Sequence, residues 1–329
     1  MKFRIGAAAT ALAAVALAGP AAARDQIKIV GSSTVFPFSA SVAEAFGKAS
    51  AFPTPVVEST GSGGGLKLFC AGVGVEHPDI TNASRRIKAK EFQLCQDNGV
   101  TDVVESVLGY DGIVVANAKA GPEFNLTREI LFKALVEGQG NPTNWNDIDP
   151  SLPALKIEVL GPPPSSGTRD AFEELALEKG CSDAGASDDI CDNIQVREDG
   201  AYIDAGENDN LIVSKLEANP NAVGVFGFSF LDQNADKIKG AEVGGVTPNF
   251  DLIADGSYPL SRSMYFYIKK AHVGVIDGIM DYVAEFVSED ASGADGYLTE
   301  KGLIPLPEDA HRDNADRVMS QTTLTGEEF

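Results

Sequence analysis

Ser165-Ser166-Gly167-Thr168-Arg169-Asp170 sets three hydroxyls and a glycine in front of a run that reads as a helix. Phe172, Ala176 and Lys179 fall on one line of that helix, with Ala171 and Leu175 beside it. Asp170, Glu173 and Glu174 occupy its early turns, Lys179 stands near its end, and Gly180 sits where a C-cap is expected. Upstream, Leu155-Lys156-Ile157-Glu158-Val159-Leu160 reads as a strand that passes through Gly161-Pro162-Pro163-Pro164 into the serines. The unit is strand, hydroxyl-rich turn, helix. Free N–H groups and the positive dipole end at such a helix start favour an anion, and hydroxyls add uncharged donors. A serine there is equally what helix capping alone predicts.

Two other stretches repeat this chemistry. Gln26-Ile27-Lys28-Ile29-Val30 is a short strand broken by Gly31-Ser32-Ser33-Thr34, and Pro37 then opens a helix with Phe38, Val42, Ala45 and Phe46 on its apolar side. Pro55-Val56-Val57-Glu58-Ser59 is a strand, Thr60-Gly61-Ser62-Gly63-Gly64-Gly65 its turn, and Leu66, Phe69, Cys70 and Val73 follow at helical spacing. This second turn satisfies neither glycine-rich nucleotide motif: Lys67 precedes Leu68 rather than Ser or Thr, and Leu66 stands where the dinucleotide fingerprint needs its last glycine. A related segment, Ile80-Thr81-Asn82-Ala83-Ser84-Arg85-Arg86-Ile87, brings a serine beside two arginines, whose planar forks suit phosphate or carboxylate and also suit an ordinary surface pair.

The run from Val103 to Ala116 shows little alternation and fits a strand buried on both faces, with Asp111 as its interruption. A carboxylate in such surroundings needs a partner. Leu126–Gly138 is a helix candidate, as is 211–218; Val223–Phe228 and Met264–Ile268 read as strands. The stripe Val273, Ile276, Ile279, Met280, Val283, Phe286 and Val287 predicts an amphipathic helix, and the polar residues after Pro307 predict a peripheral tail. Alternating strands and helices argue for an α/β architecture with mainly parallel sheets. No linker divides the chain in half, so two lobes joined by strands that cross back are expected.

Lys2 and Arg4 precede an apolar run from Ile5 to Gly19, and Ala21-Ala22-Ala23 offers a signal-peptidase site, so residues 1–23 read as a cleavable export signal. The mature chain is expected to begin near Arg24 and to be soluble outside the cytoplasm. Four cysteines in an exported chain suggest two disulfides. Of the three connectivities, Cys70–Cys95 with Cys181–Cys191 is the most economical. The formal charge of −22 disfavours nucleic acid and anionic membrane surfaces as partners, and it confines any anion site to short-range donors. No metal-ligand spacing and no Gly-x-Ser-x-Gly elbow occur, and His77, His272 and His311 lie far in sequence from the hydroxyl-rich turns. The chain is expected to be a monomer, to use no cofactor or metal and to be no enzyme.

Five segments together, Val30–Pro37, Thr60–Gly65, Ala83-Ser84-Arg85, Ser165–Arg169 and Tyr258-Pro259-Leu260-Ser261-Arg262, resemble in order the phosphate-binding proteins of bacterial high-affinity phosphate ABC transporters, the PstS family. The likeness runs from about residue 26 to about residue 307. It implies a two-lobed periplasmic binding protein of type II that closes on one inorganic phosphate and hands it to membrane permease subunits. By position, lobe 1 would hold 24–112 and 228–329, and lobe 2 would hold 113–227. Phosphate would meet the N–H groups of Val35 and Phe36, the hydroxyls of Thr34, Ser62 and Ser84, and the donors of Ser166, Gly167 and Thr168. Two departures stand out: Pro162-Pro163-Pro164 replaces the family's arginine before Ser-Gly-Thr, and Arg85 replaces its aspartate. Arg85, with Arg169, is therefore expected to supply the fork. Asp111 is expected to accept the proton of hydrogen phosphate, ahead of Asp170 and Glu58. The rival readings are a binding protein for sulfate, molybdate or tungstate, and an exported phosphatase.

Overall fold

A computed structural model describes residues 24–328 apart from 192 and 207, so the expected export signal lies outside the described residues. The first elements are β1 (Lys28–Gly31), α1 (Phe36–Ala49), β2 (Val56–Ser59), α2 (Ser62–Phe69), β3 (Ile80–Ala83), α3 (Ala89–Asp97) and β4 (Val103–Ala118). The middle of the chain holds β5 (Asn125–Leu126), α4 (Arg128–Leu135), β6 (Val159–Gly161), α5 (Gly167–Phe172), α6 (Lys179–Asp183), α7 (Asp188–Cys191), β7 (Tyr202–Asp204), α8 (Asp209–Ala218), β8 (Val223–Gly227), α9 (Phe228–Gln233), β9 (Ile238–Gly240), β10 (Glu242–Val243) and α10 (Phe250–Ala254). It ends with β11 (Ser261–Lys269), α11 (Ile279–Phe286), α12 (Glu289–Ser292) and α13 (Glu308–Met319).

β1 pairs in parallel with β2 and β3, as strands joined by crossover helices do. In the second lobe β6 pairs in parallel with β7 and β8. The 16-residue β4 joins the two sheets by changing partners midway. Its first part, Val103 to Gly112, runs antiparallel to β11; from Ile113 to Asn117 it runs antiparallel to β8, with β9 beyond. The resulting strand order is β2-β1-β3-β11-β4-β8-β6-β7. Two lobes of mixed α/β structure thus hang on one long strand, whose side chains are buried along most of its length.

The apolar cores show what the segment after β8 packs against. Phe228, Leu231, Ile238, Val243, Ile253 and Leu260 pack with Ile113, Val115 and Phe226 in the core of the second lobe. Residues 228–260 thus contribute to the same core as 113–227, and β11 begins directly after them. A composition break does not mark residue 228, because the chain continues directly from β8 into α9 without a loop.

Three local differences have physical causes. The apolar stripe from Val273 to Val287 forms a helix only over Ile279–Phe286, because Gly274 and Gly278 adopt φ of 79° and 81° and break it into turns. Within that shorter helix, Ile279, Tyr282, Val283 and Phe286 are buried, each worth roughly 1.5–3 kcal/mol of transfer free energy. The polar tail is not peripheral: α13 buries His311, Asn314 and Val318, and the Asn314 amide oxygen accepts the Val107 N–H at 2.9 Å. Finally, α5 and α6 are one continuous run, joined over Glu173–Glu178 by a π-helical turn.

Both expected disulfides are present, Cys70–Cys95 linking α2 to α3 and Cys181–Cys191 linking α6 to α7. At the entrance to β3, the fully buried Asp79 accepts from the Arg24 guanidinium, from the Lys28 N–H at 2.7 Å and from His272 Nδ1 at 2.6 Å. Lys269, also fully buried, donates to the Gly72 carbonyl at 2.6 Å, and burial pulls its ammonium down to about 8.

A candidate anion site between the lobes

The hydroxyl-rich turns follow the carboxyl ends of β1, β2 and β6, where open α/β sheets leave a crevice for ligand. They meet across the gap between the lobes. Ser33 Oγ donates to Asp170 Oδ2 at 2.5 Å, and Thr34 Oγ1 lies 3.4 Å from the Gly167 carbonyl oxygen. Gly167 has to be small here, since a Cβ would stand 2.9 Å from the Ser33 carbonyl oxygen and 3.0 Å from Thr34 Cα.

Each turn is braced from within. Ser32 accepts the Val35 N–H on its hydroxyl at 3.3 Å and the Phe36 N–H on its carbonyl at 3.0 Å. The two backbone donors expected at Val35 and Phe36 are therefore engaged inside their own turn. The Val35 side chain enters the core, and that of Phe36 stays partly exposed on the cleft. Gly61 opens α2 at φ 71°, a conformation that suits glycine. Next to it, Ser62 Oγ accepts the Ser84 N–H at 3.0 Å and lies 3.1 Å from Ser84 Oγ. Ser166 caps α5, its hydroxyl accepting the Thr168 N–H at 3.2 Å.

The expected residues border two adjoining cavities. One, of about 550 Å³, is lined in part by Thr34, Phe36, Asp111, Ser166, Gly167 and Thr168. The other, of about 340 Å³, is lined in part by Thr34, Ser62, Ser84, Arg85, Glu174 and Arg262. Thr34 faces both. Glu58 lines neither, whereas Asp170 borders the second.

The arginines divide unevenly. Arg85 faces the second cavity but closes a two-pronged pair with Glu91, at 2.9 and 2.8 Å, and that bond holds its guanidinium firmly protonated. Arg169 turns away from the cleft, ion-paired with Glu173 and stacked 4.0 Å over the Tyr202 ring. The cation that reaches the centre is Arg262, absent from the residues expected to bind. Its side chain is 8% exposed. Nη2 donates to Thr34 Oγ1 at 2.8 Å, Nε lies 3.4 Å from Asp111 Oδ2, and Nη1 pairs with Glu174 from the opposite lobe. The sequence signal for it is Ser261-Arg262 at the end of a segment in which Tyr258 and Leu260 are buried.

Asp111 stands opposite Arg262 in the β4–β11 register. Burial pushes its carboxyl up, Arg262 pulls it back, and the charge of Glu174 adds to the upward push. The result is a carboxyl group of raised proton affinity on the cavity wall. Among the described residues no group of three or more His, Cys, Asp or Glu is placed to hold a metal ion. The arrangement therefore offers hydroxyls, two guanidinium groups and one basic carboxylate, which suits a small oxyanion carrying a proton.

A family profile described as a PBP superfamily domain matches residues 16–290. Protein SphX of Synechococcus elongatus is 32% identical over 307 residues, covering 90% of this chain and 82% of that protein. Phosphate-binding protein PstS of Staphylococcus saprophyticus is 31% identical over 288 residues, covering 86% and 81%. Among solved structures, a possible phosphate binding protein from Planctomyces limnophilus superposes with a TM-score of 0.75 at 28% identity, over 91% of this chain and 99% of that one.

Proposed function

We propose, from the premise that this chain belongs to the PstS family of phosphate-binding proteins, that it captures inorganic phosphate outside the cytoplasm and delivers it to the permease of an ABC transporter. The observation that carries this reading is Arg262, a nearly buried guanidinium held among Thr34, Asp111 and Glu174 at the meeting point of the hydroxyl-rich turns. A buried arginine in a crevice of oriented hydroxyls binds tetrahedral oxyanions through charge-assisted hydrogen bonds.

Thr34, Ser62, Ser84 and the Ser166–Thr168 turn supply neutral donors. Arg262 supplies the fork, and Arg85 contributes its charge while remaining paired with Glu91. Asp111 accepts the remaining proton of hydrogen phosphate. Its raised proton affinity strengthens that bond, and its charge repels a fully ionised anion such as sulfate. Calorimetric titration of the mature chain with phosphate, and separately with sulfate, tests the reading. One-to-one phosphate binding with no response to sulfate is expected. Sulfate binding of equal strength would point to a different oxyanion.

A hydrolase is disfavoured by the histidines, none of which lines either cavity. A Ser292–His311–Glu289 constellation does occur, at 3.0 and 3.1 Å, but Ser292 is buried and its hydroxyl donates to the Phe286 carbonyl. Cleavage of the export signal at Ala23 would leave Arg24, whose guanidinium the fold uses to hold Asp79; N-terminal sequencing of the exported chain checks this.

Closure depends on the absence of a side chain at Gly167. Gly167→Ala is expected to weaken phosphate binding about tenfold or more, with thermal stability nearly unchanged, because the methyl group would press on Ser33 and Thr34 of the other lobe. Affinity within about twofold of the parent would show that the turns do not need this approach.

A further inference from the structure

Every nitrogen of the Arg262 guanidinium has a protein partner, and two of the three partners, Thr34 and Asp111, share its lobe. The third, Glu174, comes from the second lobe on the π-helical turn between α5 and α6, an irregularity of the kind that re-aims side chains at functional sites. Neighbouring carboxylates are committed elsewhere. Glu173 holds Arg169, and Asp170 takes the Ser33 hydroxyl.

We propose that Glu174 is an internal competitor for the anion's place on Arg262: its carboxylate holds the prong of the fork that faces the second lobe, and an incoming oxyanion has to displace it. This rests on the proposed phosphate reading of the same cleft. The chemistry is a like-for-like exchange, one oxyanion for another on a single guanidinium. Glu174 has somewhere to go, since its side chain is 41% exposed while that of Arg262 is 8% exposed. The displaced carboxylate moves into water and the arginine stays. Its charge also reaches the rest of the site, pushing Asp111 up and adding to the field that holds Arg85 protonated. Glu174 therefore lowers net affinity and eases release, and in exchange it closes the lobes through a bond of their own.

Titration calorimetry with inorganic phosphate on three full-length mature chains tests this: the parent, Glu174→Gln and Glu173→Gln. The glutamine at 174 keeps the shape and removes the charge that competes. The change at 173 removes the same charge one residue away without freeing Arg262. Glu174→Gln is expected to bind phosphate about tenfold more tightly, and Glu173→Gln to change affinity less than about threefold. Equal gains in both variants would reduce the effect to the general field and overturn the proposal. Unchanged or weaker binding in Glu174→Gln, with normal binding by the parent, would overturn it as well and make Glu174 neutral or a ligand contact. A parent chain that does not bind phosphate would instead bring down the functional reading, and this inference with it.

Discussion

Arg262→Ala is expected to weaken phosphate binding by about 100-fold or more, roughly 3 kcal/mol, as measured by calorimetric titration. The loss exceeds that of any single hydroxyl because a charge-assisted fork is about twice as strong as a neutral hydrogen bond. It also removes the cation that stands against Asp111. A carboxylate left without its partner in a mostly buried place takes up a proton rather than stay charged, so the variant should also lose some stability. Adding Asp111→Asn to Arg262→Ala separates the two effects: the melting temperature should recover and the affinity should not. Arg262→Lys retains the charge without the planar fork and should fall between, about tenfold below the parent. An Arg262→Ala chain that binds within about threefold of the parent would remove this residue from the site and leave Arg85 as the cation that matters.

Asp79→Ala should have the largest effect on stability and almost none on binding. Asp79 is fully buried and collects Arg24, the Lys28 N–H and His272 in one place, with Lys269 buried nearby. Removing one partner from a buried charge network typically costs about 3–5 kcal/mol, because the remaining cations keep their desolvation penalty without its compensation. For a chain of this size that is a fall of roughly 10 °C in the melting temperature. Lys269 is already drawn down to about 8 by burial, opposed in part by Asp79, and should titrate lower still in the variant. The cluster precedes β3 whereas the anion site follows it, so phosphate affinity below the melting transition should be unchanged. A melting temperature within about 2 °C of the parent would mean that water reaches these groups.

Much of the architecture was legible because it follows from local rules. Short β-branched runs, hydroxyl-rich turns and helix starts recur in order, and β1–α1, β2–α2 and β6–α5 appear where those signals stand. Both cysteine pairs close short loops, and local economy was enough to pair them. Where the reading erred, the governing contact was remote or chemically disguised. The inner face of α13 carries His311 and Asn314 beside Val318, and the burial of these two polar residues is satisfied by Ser292, Glu289, Ser106 and the Val107 N–H. The segment 228–260 carries no mark in its composition of the core it joins; β9 pairs with the far half of β4, and Phe228, Leu231 and Leu260 pack in one core with Ile113 and Val115.

The candidate site shows the same division more sharply. Sequence alone determined that hydroxyl-rich turns stand at helix starts, because a serine or glycine there acts through its own backbone and its nearest neighbours. It also singled out Asp111 as a carboxylate interrupting a buried strand. It did not show that Val35 and Phe36 turn their N–H groups onto Ser32, or that Arg169 faces Tyr202. Nor did it indicate which arginine reaches the centre. Arg262 meets partners 88, 151 and 228 residues away, at Glu174, Asp111 and Thr34. Local propensity cannot encode such separations. They arise only when β11 is laid between β3 and β4 and the second lobe folds back over the first.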